Sequence, residues 1–299
     1  AHRAAAGDVR QTRAGGGQVS QNIQTPPLHQ HTVSSADGTA ISYQTMGAGP
    51  GLIVLGGTLK TSQDYLPLAS TLARSFTVHI VDRRGRGASG PQGPRYSLQK
   101  EVEDLHAVQA ETGARLAFGH SYGGLVILET ARSFHPFDRI AVFEPGMPYA
   151  PVPTGWMAPF RERLAAGDHY GAFIHFVQGS GGAPAFITKL PHWYLRMAFR
   201  AGFRGPAWQR MRPLLGACLA EHEQLAAQQG RLPEFADVTA PVLLLVGGRS
   251  SREHQEGFAA HRDTLPHATL QTMDGLNHLS PSERKSGPVV AERALAFFL

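Results

Sequence analysis

The sequence predicts an α/β fold: a mostly parallel eight-stranded sheet flanked by helices, with a block of helices inserted between two of its strands. Three observations carry this expectation. From residue 28 to 145, short apolar runs of strand length alternate with segments of helical periodicity. Over 146–238 the alternation stops and helical patterns broken by Gly and Pro take over, and from 239 to 299 it resumes. The string Gly119-His120-Ser121-Tyr122-Gly123 stands between an apolar run and a helical pattern, the context of a sharp strand-to-helix turn.

Taken in order, 29–34 and 40–45 flank an Ala36-Asp37-Gly38 turn and read as an antiparallel hairpin. Then come a strand at 51–55, a helix at 63–73, a strand at 77–81 and a helix at 98–112. The unit repeats with a strand at 115–118, a helix at 122–133 and a strand at 139–143, whose near-continuous apolar character fits burial on both faces. The inserted helices, 146–238, form a cap or lid carrying Trp156, Tyr170, Phe173, Phe176, Trp193 and Phe199. A strand at 242–246, a helix at 252–264, a strand at 269–273 and a helix at 289–298 complete the core domain, 28–145 plus 239–299. Residues 1–27, rich in Ala, Gly, Gln and Arg without apolar periodicity, form an N-terminal extension that should be disordered alone unless it docks on its own body or joins two copies as a homo-oligomer. The segment has neither the hydrophobic core of a secretory leader nor an Arg-Arg pair before an apolar run, so a cytoplasmic location is expected.

Composition narrows the function. The 42% hydrophobic and 17% charged fractions are those of a globular protein, and no run approaches the roughly 18 apolar residues of a membrane span, so no membrane partner is expected. The net charge of +5 would suit nucleic acid, but the arginines are dispersed rather than gathered in one run, and no nucleic-acid partner is expected. A single cysteine, Cys218, precludes an internal disulfide or a cysteine-based metal centre and reads as a small buried residue on a helix. None of the fifteen histidines lies in a His-Glu-x-x-His pair, so no metal site is expected.

The chemistry points to Ser121. Its turn would lift the hydroxyl above the sheet, and a serine hydroxyl needs a base whose pKa lies near the working pH. His278, in Asp274-Gly275-Leu276-Asn277-His278 between the last strand and the last helix, would reach the same edge of the sheet. His267, between Pro266 and Ala268, reads as a strand-entry residue.

From about residue 28 to 299 the chain resembles an α/β-hydrolase-fold protein. Besides the Ser121 turn and His278, Asp82-Arg83-Arg84-Gly85-Arg86-Gly87-Ala88-Ser89 is similar to a turn many members carry after the fourth strand, where Asp82 and Arg84 would have structural roles. The resemblance implies an oxyanion hole from the amides of Thr58 and Tyr122, although Gly56 stands where many relatives have histidine. The Thr58 hydroxyl would either add a donor or face solvent. A second departure concerns the acid that orients the histidine. Most relatives place an aspartate after the seventh strand, where this chain has Ser250 in Gly247-Gly248-Arg249-Ser250-Ser251. Some members supply the acid from the preceding strand, which nominates Glu144; Glu253, Asp274 or no acid at all are the alternatives.

These residues imply a cofactor-free serine hydrolase acting on a small, mostly apolar ester-type substrate, with Gly57, Phe173, Phe176 and Trp193 as candidate substrate contacts. Three rivals stand beside it: a hydrolase of C–C, thioester or lactone bonds; a catalytically silent ligand-binding or cyclase-type member, motivated by Ser250; and an interaction protein built on the same fold.

Overall fold

The computed structural model describes residues 27–181 and 185–299. The expectations for the N-terminal extension and an oligomer formed through it fall on residues 1–26, outside the described residues.

The chain runs through β1 (His29–Ser34), β2 (Ala40–Met46), β3 (Gly51–Leu55), α1 (Leu66–Leu72), β4 (Thr77–Val81), α2 (Leu98–Thr112), β5 (Leu116–His120), α3 (Tyr122–Phe134) and β6 (Arg139–Phe143). Six helices follow without a strand among the described residues: α4 (Met157–Ala165), α5 (His169–Gly179), α6 (Ala185–Thr188), α7 (His192–Gly202), α8 (Pro206–Met211) and α9 (Leu215–Ala227). The core closes with β7 (Val242–Gly247), α10 (Arg252–Thr264), β8 (Ala268–Met273) and α11 (Gly287–Phe298).

The eight strands form one sheet in the order β1-β2-β4-β3-β5-β6-β7-β8. Pairing is antiparallel on both sides of β2 and parallel from β4 to β8. The central strands are apolar on both faces because helices cover both faces, and the period of two sends alternate side chains to opposite cores. Ile53, Ala117, Val142 and Leu244 join the core under α2 and α3, while Val54, Phe118, Phe143 and Leu245 join the one under α1 and α11. A third apolar cluster lies in the inserted helices, where Trp156, Phe160, Phe173, Trp208 and Cys218 enclose Leu59 from the loop after β3.

Local chemistry moved several boundaries. The helix expected at 63–73 is a short 3-10 turn, Ser62–Tyr65, followed by α1, since Pro67 lacks an N–H and is accommodated only in the first turn of an α-helix. Pro288 likewise sits in the first turn of α11, which starts two residues before the expected 289. Strand β5 continues to His120, so the Gly-x-Ser-x-Gly string begins inside the sheet.

Arg84 ties the hairpin to α2. Its guanidinium, 1% exposed, holds Asp104 at 2.7 and 2.6 Å and Asp37 at 3.0 and 3.3 Å. Asp82 accepts from the Ser62 amide at 2.7 Å and anchors its own turn through Ala88 and Ser89.

Burial pushes the imidazoles of His79 and His261 down to about 4. Both are neutral in the fold, whereas the unfolded chain takes up protons near the ordinary value of 6.5. Stability is therefore full above that value and declines as pH falls toward 4, by on the order of 1–2 kcal/mol for His261 at pH 5. Thermal unfolding followed from pH 7.5 to 5 should show a falling midpoint, with a shallower slope in His261→Gln; equal slopes would refute the assignment.

Candidate active site

Ser121 joins β5 to α3 in a conformation few non-glycine residues adopt, with φ 53° and ψ −124°. Such a backbone costs on the order of 1–3 kcal/mol and persists only where its surroundings fix it. Here the Ser121 amide donates to the Phe143 carbonyl at 3.1 Å, and its own carbonyl accepts from the amides of Gly124, Leu125 and Gly146 at 2.9, 3.2 and 2.9 Å. Strand and helix must also meet closely, because a Cβ on Gly119 would lie 2.6 Å from the Gly124 Cα.

His278, after β8, brings Nε2 to 3.1 Å from Ser121 Oγ and Nδ1 to 2.7 Å from Glu144 Oε2. Glu144 follows β6, is 2% exposed, and accepts at Oε1 from the Gly247 amide at 2.8 Å and from the Ser250 hydroxyl. Burial alone would push its carboxyl up, but the bonds and charge of His278 and the donors Ser250 and Gly247 outweigh it and hold it below its ordinary value. An ionised Glu144 accepts from Nδ1–H, which leaves the Nε2 lone pair facing the serine hydroxyl. Four segments after four consecutive strands of the sheet, β5, β6, β7 and β8, thus converge at one edge.

Ser250 has a use its sequence position concealed. Standing where relatives carry the acid, it hydrogen-bonds the carboxylate that arrives from the neighbouring strand. Glu253 and Asp274, the alternatives, are both exposed.

Tyr122 follows the serine directly, and Thr58 follows Gly57 in the loop after β3. Tyr122 opens α3, and among the described residues neither its amide nor that of Thr58 donates to a carbonyl of the turns, loops and caps. The Gly57 amide is committed to Tyr65 Oη at 2.9 Å, and the Thr58 hydroxyl donates to Glu221 Oε2 at 2.7 Å. The expectation that this hydroxyl is a spare donor or faces solvent is therefore corrected: a buried carboxylate captures it. Gly57 itself lies against the nucleophile side, where a Cβ would come within 2.9 Å of the Ser121 Cβ.

A buried relay links the two sides of the site. Tyr65 Oη, already an acceptor for the Gly57 amide, donates to His120 Nδ1 at 2.7 Å, and His120 Nε2–H donates to the His278 carbonyl at 2.7 Å. Because a carbonyl only accepts, the direction of every bond in this chain is fixed. Burial, reinforced by His278, pushes His120 well below its ordinary pKa, consistent with the neutral tautomer the relay needs. Sequence reasoning missed Tyr65, His120 and Glu221; His120 was visible only as a variable position of the serine string, and the others had no motif.

Two of the cap aromatics nominated as substrate contacts, Phe173 and Phe176, stack on each other, and the third, Trp193, stands apart from them on α7. Phe173 rings with Phe176, Phe199, Phe203 and Trp208, and Phe176 with Trp156 and His222, so both have their ring partners inside the cap. Trp193 is 68% exposed on α7 beside Tyr194. Helical spacing put these residues on apolar faces without revealing what those faces meet. Among the described residues, no group of three or more His, Cys, Asp or Glu could hold a metal ion, and no helix is long and apolar enough to cross a membrane.

A family model described as the alpha/beta hydrolase family matches residues 52–292. The chain belongs to that family. A solved alpha/beta hydrolase from Sphaerobacter thermophilus superposes with a TM-score of 0.76 at 30% identity, covering 90% of this chain and all of that one. Among curated relatives, the 2-(acetamidomethylene)succinate hydrolase of Mesorhizobium japonicum is 23% identical over 80% of this chain and 84% of its own. The pimeloyl-[acyl-carrier protein] methyl ester esterase of Xanthomonas campestris is 28% identical over 78% of this chain and 89% of its own. This alpha/beta hydrolase is thus a hydrolase by family, on an eight-stranded sheet.

Removing the Tyr65 hydroxyl would strand both the Gly57 amide and His120 Nδ1. Tyr65→Phe should lower stability by about 1–3 kcal/mol, the cost of buried groups left unpaired. Urea unfolding checks this, and a midpoint equal to wild type would show that the relay carries no stability.

Proposed function

We propose that this alpha/beta hydrolase is a serine hydrolase that cleaves an ester-type bond of a small, mostly apolar substrate through an acyl-enzyme on Ser121. The observation that carries the reading is the unbroken line from Ser121 Oγ to His278 Nε2, 3.1 Å, and from His278 Nδ1 to Glu144, 2.7 Å. His278 takes the serine proton as Oγ attacks the acyl carbonyl. Glu144 holds the imidazole in the correct tautomer and stabilises its cation. The amides of Thr58 and Tyr122 receive the developing oxyanion. His278 then gives its proton to the leaving alcohol, and water, deprotonated by the same histidine, releases the acid and restores Ser121. These steps consume only water.

The helices of 146–238 act in this reading as the lid over the serine and, with Gly57, shape the acyl pocket. Ser250, which motivated a catalytically silent member, no longer argues for one, since Glu144 gives His278 its carboxylate. The esterase named above supports an ester substrate, and the acetamidomethylene-succinate hydrolase keeps a second reading open in which the leaving group is an amine rather than an alcohol. C–C, thioester and lactone hydrolysis would use the same residues with other leaving groups.

A fluorophosphonate probe tests the nucleophile: it should label wild type and leave Ser121→Ala unlabelled, and labelling that survives the substitution would end the assignment. With p-nitrophenyl esters of graded acyl length, Glu144→Gln should retain its fold by circular dichroism yet lose roughly 10²- to 10⁴-fold in kcat, because the amide favours the wrong tautomer. Unchanged turnover would remove Glu144 from the mechanism.

A further inference from the structure

Glu221 lies midway along α9, the last of the inserted helices, and its side chain is fully buried against the loop after β3. Its carboxylate serves three partners. Oε2 accepts the Thr58 hydroxyl at 2.7 Å and Arg83 Nη2 at 3.0 Å, and Oε1 pairs with Arg86 Nη2. The two arginines, both under 5% exposed, also donate to the same loop: Arg83 to the carbonyls of Gly56 at 3.0 Å and Gly57 at 3.2 Å, and Arg86 to those of Gly57 at 3.2 Å and Lys60 at 3.3 Å. Arg83 is completed by Glu101 of α2 at 2.7 Å. Loop 56–60 leaves the sheet, so its carbonyls lose strand partners; guanidinium groups supply the replacement. The loop also contains Leu59 at φ 60°, a backbone held by its surroundings rather than by preference.

The arrangement is asymmetric in a telling way. The β4 turn supplies both cations and α2 supplies one anion, but the carboxylate that balances the pair and reaches Thr58 comes from the insertion. Removing one member of such a buried set leaves uncompensated charge, so the loop and α9 hold their positions together.

We propose that Glu221 is a positioning residue for the oxyanion hole: by gripping the Thr58 hydroxyl and the arginines that brace Gly56 and Gly57, it makes the aim of the Thr58 amide at Ser121 depend on the docking of α9. The insertion thereby becomes part of transition-state stabilisation as well as a cover for the substrate. The inference rests on the reading of Thr58 as an oxyanion donor and goes beyond it by naming what aims that donor.

The test uses Thr58→Val, which keeps the amide and the side-chain volume but deletes the hydroxyl that Glu221 holds, with Thr58→Ser as the rescue and Glu221→Gln as the partner variant. Each is assayed for p-nitrophenyl ester hydrolysis and for inhibition by phenylboronic acid, whose tetrahedral serine adduct places an oxygen in the oxyanion hole, with the folded fraction checked by circular dichroism. Thr58→Val should lose about tenfold in kcat with KM within about twofold, and its Ki for phenylboronic acid should rise about tenfold, the split expected when only transition-state binding is lost. Thr58→Ser should restore both, and Glu221→Gln, where it folds, should match Thr58→Val. A wild-type kcat and Ki in Thr58→Val overturns the proposal, as does a loss confined to KM or a Thr58→Ser variant as impaired as Thr58→Val. Ser121→Ala separates the layers: if it still hydrolyses ester, the serine reading falls and this inference with it, whereas an inert Ser121→Ala beside an unaffected Thr58→Val overturns this inference alone.

Discussion

The left-handed turn at Ser121 is the constraint on which the rest of the site depends. Strand β5 points its last residues at the sheet edge, and only an abrupt reversal into α3 leaves a serine side chain clear of both elements. Holding φ at 53° requires the Phe143 carbonyl on one side and three amides on the Ser121 carbonyl on the other. It also requires Gly119 and Gly124 to let helix and strand touch. Phe143 belongs to the neighbouring strand β6, so the turn depends on the pairing of β5 with β6.

From that turn, position propagates by hydrogen bonds whose directions are fixed. Glu144 immediately follows Phe143, so the strand that pins the serine amide also delivers the carboxylate to His278. His120, immediately before the serine, holds the His278 carbonyl and, through Tyr65, the amide of Gly57. Ser121, His278 and the loop after β3 are thereby referenced to one another rather than each to solvent. In the proposed reaction such preorganisation would let fixed dipoles act on developing charge without reorganising.

Buried charge gathers around arginines in two clusters. Around Arg84 it staples the hairpin to α2, and around Arg83, Arg86, Glu101 and Glu221 it joins the sheet, α2 and the inserted helices at the loop after β3. A buried ion set is weak evidence of net stability, because desolvation consumes much of the attraction. Its consequence here is geometric: each guanidinium plane specifies where several carbonyls must lie.

The sequence by itself determined the sheet and its eight strands, placed a run of helices between the sixth and the seventh, and nominated Ser121 and His278, which the structure brings within 3.1 Å. These follow from local information: apolar periodicity, Gly and Pro punctuation, and a short string whose spacing encodes a strand-to-helix turn. It also nominated Glu144, through a resemblance and the lack of a carboxylate near Ser250. Only the tertiary structure decided that Glu144 meets His278, that Ser250 serves that carboxylate, and that Thr58 gives its hydroxyl to Glu221. The same holds for the cap aromatics, whose helical spacing announced apolar faces but not whether those faces meet each other, the serine or water. The physical reason is common to all of them: partners 106, 134 and 163 residues apart in the chain leave no periodic trace, and which atoms they share is set by how strands and helices pack.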